Sequence, residues 1–174
     1  MKADKPLLRL FVAVWPDVAV RAELAALRDR WQWPPDARPV ADENLHCTLH
    51  FIGAFGRDRL AALGSALDAV EPASMHLRLA GSEVWKGGIA VLVLAAEPVL
   101  AALHARIGAV LTALDVPLDE RPFAPHVTMA RKAWHARAPE PLPALAWDAQ
   151  GFALVASGGG GRPRYDVLET WSSG

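Results

Sequence analysis

Two stretches decide how this chain is built: HCTLHFIG, residues His46 to Gly53, and HVTMARKA, residues His126 to Ala133. Both open with His, any residue, Thr and an apolar residue. In an extended strand successive side chains point to opposite faces, so His46 shares a face with Thr48, and His126 with Thr128. Each stretch therefore offers an imidazole beside a hydroxyl. Cys47, lying between His46 and Thr48, faces the other way.

Working outward, the two motifs stand 80 positions apart (46 to 126), and the same offset carries LFVAV, residues 10 to 14, onto AVLVL, residues 90 to 94. It also carries Asp17 onto Glu97, an acidic start to a helix in each case, and Leu27 onto Ile107. The pattern is a repeat of strand, helix and His-x-Thr strand. Apolar spacing predicts strands over Leu8 to Trp15 and Leu45 to Gly53. Helices follow Pro16-Asp17, with Val20, Leu24, Leu27 and Trp31 inward, and span Asp58 to Val70 and Glu97 to Leu114. A hairpin turning at Lys86-Gly87-Gly88 joins strands Met75 to Val84 and Ile89 to Ala95, and two closing strands, FALVAS and YDVLETW, flank a glycine run. The Pro-rich APEPLPALAW, residues 138 to 147, reads as an irregular connection.

The repeat points to a single domain over residues 1–174 made of two similar half-domains, packed about a pseudo-twofold axis with a concave cleft at their seam. His46 and Thr48 would line one wall, His126 and Thr128 the other.

Composition narrows the partners. The 174 residues carry 18 Lys and Arg against 19 Asp and Glu, so no globally basic surface exists to hold a long duplex. A nucleic-acid ligand must be short or held by a local patch. The single cysteine, Cys47, forms no internal disulfide and suits a reducing compartment. No run reaches the roughly 20 apolar residues of a membrane span. Arg9 and Pro16-Asp17 spoil the faint likeness of the start to a signal peptide. A cytoplasmic protein, monomeric and away from membranes, is expected.

Two histidines across one reacting centre can act as general base and general acid, because imidazole titrates near neutrality. Two threonines can hold an anionic oxygen from either side. Zinc binding through His46 and His50 needs a helix; on a strand four residues span roughly 13 Å at about 3.3 Å each. No Cys pair or carboxylate near the motifs completes a metal shell, so no metal and no cofactor is expected.

The paired motifs, together with RLFVAVWPD, RPFAPHVTMARK and the closing YDVLETW, resemble the two-histidine phosphoesterase superfamily, specifically its RNA 2',3'-cyclic phosphodiesterases, historically called 2'-5' RNA ligases. The resemblance runs from about Leu7 to Trp171. It implies an α+β, bilobal fold in which two antiparallel sheets line a central cleft with helices packed outside, and hydrolysis of a 2',3'-cyclic phosphate end of RNA to a 2'-phosphomonoester without metal. His46 would protonate the departing 3' oxygen and His126 would accept the proton of the attacking water. Thr48 and Thr128 would bind the non-bridging oxygens, and Arg131 would contact substrate. The reverse reaction is 2'-5' ligation. Two alternatives stand beside this: a non-catalytic binding module for phosphorylated or cyclic RNA ends, and a phosphodiesterase for small nucleotides such as a cyclic phosphate of ADP-ribose.

Some residues sit awkwardly. Alternation puts His50 on the His46 face, where it reads as structural before functional. Arg131 falls opposite His126 and Thr128 unless a bulge redirects it. Phe11 and Trp15 read as core. Arg162 and Arg164 read as a solvated hairpin tip with RNA contact as the lesser alternative. His76, His104 and His135 read as structural.

Overall fold

The computed structural model describes residues 6–158 and 164–174. Nine strands and three α-helices alternate along the described chain. They are β1 (Leu7–Val14), α1 (Val18–Asp29), β2 (Arg38–Pro39), β3 (Cys47–Gly56), α2 (Leu60–Leu67), β4 (Met75–Trp85), β5 (Ile89–Leu94), α3 (Pro98–Ala113), β6 (His126–Arg131), β7 (Ala146–Ala149), β8 (Gly151–Gly158) and β9 (Arg164–Ser172). Helix starts obey the repeat. The Asp17 carboxylate accepts the Val20 N–H at 2.8 Å, and the Glu97 carboxylate accepts that of Leu100 at 2.6 Å. These are equivalent N-caps, each satisfying an otherwise orphaned donor.

The strands lie in the order β7-β4-β5-β6-β3-β1-β8-β9, with β2 alongside β6. The order is symmetric about the β6–β3 neighbours: β5 matches β1, β4 matches β8 and β7 matches β9. All pairings are antiparallel. The two expected sheets are thus two halves of one path, joined where Cys47 faces Val127. So narrow a seam lets the halves splay into the walls of a cleft.

The main core fills the space between the sheet and the helices. Leu24 and Leu27 of α1, Leu63 and Leu67 of α2, and Leu100, Leu103, Ile107 and Leu111 of α3 meet Val12, Val14, Leu49, Leu92 and Val127. A second, smaller cluster of Phe11, Ala13, Ala153 and Val155 lies apart from it, with Trp15 and Tyr165 packed on its margin. Because β1 pairs regularly with β8, Phe11, Ala13 and Trp15 share the face opposite the helices.

Three expectations need correction. α1 stops at Asp29, so Trp31 is buried but lies beyond the helix. The region from Asp58 to Val70 contains only a short α-helix, after a 3₁₀ turn at Arg57–Arg59. The end of the Pro-rich segment is the edge strand β7, paired with the start of β4.

Candidate active site

Cys47 opposite Val127 fixes the register at the seam. In an antiparallel pair, His46 then lies across from Thr128 and Thr48 across from His126, so all four side chains leave one face in a diagonal arrangement. Cys47 and Val127 leave the other face and are fully buried. Burial pushes the Cys47 thiol up to about 12, an inert group facing away from the cleft.

Each histidine is held by the carbonyl two residues before it. Nδ1 of His46 lies 2.7 Å from the Asn44 oxygen, and Nδ1 of His126 lies 2.7 Å from the Ala124 oxygen. A carbonyl only accepts, so Nδ1 carries the proton and donates it. In the neutral ring Nε2 is then the basic atom. For His46 that atom lies 2.8 Å from the Thr48 hydroxyl, which donates to it. Burial pulls the His46 pKa down to about 4, with smaller contributions from the charges of His126 and Arg131; the Asn44 carbonyl opposes the shift. Burial also lowers His126, against the Ala124 carbonyl. The free site thus holds two neutral imidazoles at pH 7.

Both motif strands bulge at the same place. Val12 pairs with His50 and Ala13 with Thr48, so Leu49 is the extra residue in β3; Ala90 pairs with Ala130 and Val91 with Thr128, so Met129 is the extra residue in β6. Leu49 and Met129 are related by the repeat offset. A bulge reverses alternation beyond it. In β6 this buries Ala130 and delivers exposed Arg131 to the cleft side, the redirection that strict alternation lacked.

In β3 the same device overturns the expected placement of His50. It turns inward beside Val12, is 8% exposed, stacks on His104 at 4.0 Å and bonds through Nε2 to the His104 carbonyl at 2.8 Å. His50 belongs to the contact between β3 and α3. Phe51 takes its place on the cleft face, opposite Phe11.

Sequence reasoning missed most of the aromatic surround. The His46 ring stacks with Phe11 at 4.9 Å and with Trp15 at 5.3 Å, and meets the edge of Tyr165 at 5.4 Å. Phe11 and Trp15 therefore belong to the cleft cluster, not to the main core. Trp85 meets His126 edge-on at 4.3 Å and donates its indole N–H to Glu83. Period-two spacing on β1 was the available signal for Phe11 and Trp15, since both fall two places from Ala13. Tyr165 and Trp85 follow only from strand pairing.

Arg162 lies outside the described residues. Arg164 is exposed and bonds through Nε to Asp166 at 3.3 Å. His76 pairs with Asp148 at 2.5 Å on the exposed sheet edge, and His104 stacks on Phe123 at 3.9 Å. His135 is exposed, in a left-handed conformation. Among the described residues no group of three His, Cys, Asp or Glu side chains is gathered as a metal ion requires.

A pseudo-symmetric cleft with a His-x-Thr pair on each wall defines a class of phosphate-handling proteins, and comparison gives its family. The family profile of the 2'-5' RNA ligase superfamily matches residues 15–160, and the chain belongs to that superfamily. It is similar to the RNA 2',3'-cyclic phosphodiesterase of Thermus thermophilus, 34% identical with 95% of this chain and 90% of the relative covered. The Escherichia coli protein of the same name is 30% identical, with 94% and 96% covered. The crystal structure of E. coli LigT complexed with 3'-AMP superposes with a TM-score of 0.80 at 26% identity, over 96% of this chain and 98% of that one.

Proposed function

We propose that this protein is an RNA 2',3'-cyclic phosphodiesterase that opens the cyclic phosphate to a 2'-phosphomonoester. The observation that carries this reading is the convergence of two Nδ1-anchored histidines, diagonal to one another and each directly across from a threonine, on one face at the seam between the halves. The curated relatives of that name support it.

The chemistry needs a proton removed from water, a proton delivered to the 3' oxygen, and charge compensation at phosphorus. In this reading His126 Nε2 takes the proton as water attacks, the bond from phosphorus to O3' breaks, and His46 Nε2 protonates O3'. The hydroxyls of Thr48 and Thr128 donate to the non-bridging oxygens. Arg131, delivered by the β6 bulge, balances the phosphate charge. His46 is neutral in the free site, so it must gain its proton with substrate. The phosphodiester anion favours that uptake, because opposite charge nearby raises a histidine pKa. With a 5'-hydroxyl in place of the attacking water, the same steps join two ends through a 2'-5' link: the hydroxyl loses its proton to His126, its oxygen bonds phosphorus, and O3' leaves with the proton of His46. A single domain acting as a cytoplasmic monomer fits the chain, and elution as one 18.7 kDa species in size exclusion would agree.

The experiment is product analysis on a short RNA ending in a 2',3'-cyclic phosphate, with chelator present. A 2'-monophosphate is expected. A 3'-monophosphate, or bound RNA that is never converted, overturns the reading.

A further inference from the structure

Arg131 is not alone at its end of the cleft. β2 places Arg38 directly opposite it. Cross-strand partners project from the same face, and like charges so placed repel. Beyond them the chain segments stay paired: Gln32 and Arg137 exchange backbone hydrogen bonds of 2.9 and 3.1 Å. Arg137 and Arg30 then line an open cavity of about 810 Å³ with Gln32, Ser82 and Glu140. Arg30, Arg38, Arg131, Lys132 and Arg137 are all exposed, and none has a carboxylate partner among the described residues. Asp36 and Glu140 are the acidic residues of the two segments, 30–38 and 131–140. In a chain of net charge -1 such a strip is a local excess. Unpaired guanidinium groups in a row, leading away from a phosphate site, suit a chain of further phosphates.

We propose that the strip from Arg131 through Arg38 to Arg137 and Arg30 holds the upstream phosphates of an RNA substrate, so that the protein prefers the ends of RNA chains to cyclic mononucleotides. The inference rests on the cyclic phosphodiesterase reading and adds to it a second contact surface for the RNA chain. Arg131 serves the reacting phosphate; the other three act outside the chemistry.

The test compares a hexaribonucleotide ending in a 2',3'-cyclic phosphate with a 2',3'-cyclic mononucleotide, using wild type, Arg38→Ala and the double variant Arg30→Ala/Arg137→Ala. For the double variant KM for the hexamer should rise about 3- to 20-fold, while the mononucleotide KM stays within about twofold. The dependence of log KM on log salt should flatten by about 0.7 for each phosphate that the variant no longer neutralises. Lysine at both positions should restore much of the binding. Equal handling of the hexamer by wild type and double variant, or an equal rise in KM on both substrates, overturns the strip. If neither substrate is turned over by wild type, the enzymatic reading fails instead. Fluorescence anisotropy with a labelled hexamer ending in a 2'-phosphate then tests the strip, and unchanged affinity in the double variant overturns it.

Discussion

At the scale of single residues the site is an arrangement for controlling where protons sit. Both Nδ1 atoms are committed to backbone carbonyls, so Nε2 is the atom each histidine has left for proton exchange. In the proposed reaction, His46→Ala and His126→Ala should each lower the turnover rate by at least about 10², the ordinary contribution of a general acid or base. Steady-state rates on the cyclic-phosphate RNA check this, and near-wild-type turnover would remove that histidine from the mechanism. The pH profile carries more. In the free protein His46 titrates at about 4 and His126 below its ordinary value, both chiefly through burial. The profile of kcat/KM reports the free protein, so its optimum should lie on the acid side of pH 6.5, with activity falling as pH rises and the required proton is lost. The profile of kcat reports the bound state, where the phosphate anion raises both histidines, so its optimum should lie higher. Coincident profiles would mean that substrate binding does not alter protonation.

At the scale of elements, the decisive features are the two bulges and one buried arginine. Arg28, on the inner side of α1, bonds the Val40 carbonyl and the carboxylates of Asp29 and Asp42, the latter at 2.7 Å. It ties the helix to the loop whose Asn44 oxygen orients His46. Arg28→Ala should destabilise the protein by about 1–3 kcal/mol, the loss of hydrogen bonds to a charged group, and should lower kcat further than unfolding alone explains. Urea unfolding measured beside activity at low denaturant separates the two effects. Sequence periodicity made most of these elements legible: the 80-residue offset places both motif strands, both carboxylate-capped helices and both walls of the cleft. It failed where one residue was inserted. Alternation assumes an unbroken ladder, so it does not locate the extra residues Leu49 and Met129: it misplaces His50, and it brings Arg131 to the cleft only if a bulge is supposed. β2 has two residues and β7 four, too few to show a period. Apolar content marks Phe11 as buried without saying which side of the sheet buries it.

At the scale of the whole molecule, four histidines are held below their ordinary pKa in the same fold. His46 and His104 stand at about 4, and His50 and His126 are also lowered, in every case chiefly by burial. A histidine with a depressed folded pKa binds fewer protons folded than unfolded between the two values. Stability therefore rises with pH across that window, is complete above the unfolded value of about 6.5, and is lost as pH falls towards 4. For His46 the shift corresponds to a contribution on the order of 2–4 kcal/mol. Domains of this kind are stable by only about 5–15 kcal/mol, so acidification should remove a large share. Urea midpoints should fall steeply between pH 6.5 and 4.5, before most carboxylates titrate. The stacked pair of His50 and His104 places part of that sensitivity behind the cleft, against α3, rather than in it. His104→Leu removes one of the titrating rings without touching the cleft, so its stability should depend less on pH over the same range while the pH dependence of kcat stays as in wild type. An unchanged stability slope would assign the acid sensitivity to His46, His50 and His126, and a shifted kcat profile would mean that the pair behind the sheet communicates with the proposed proton-transfer site.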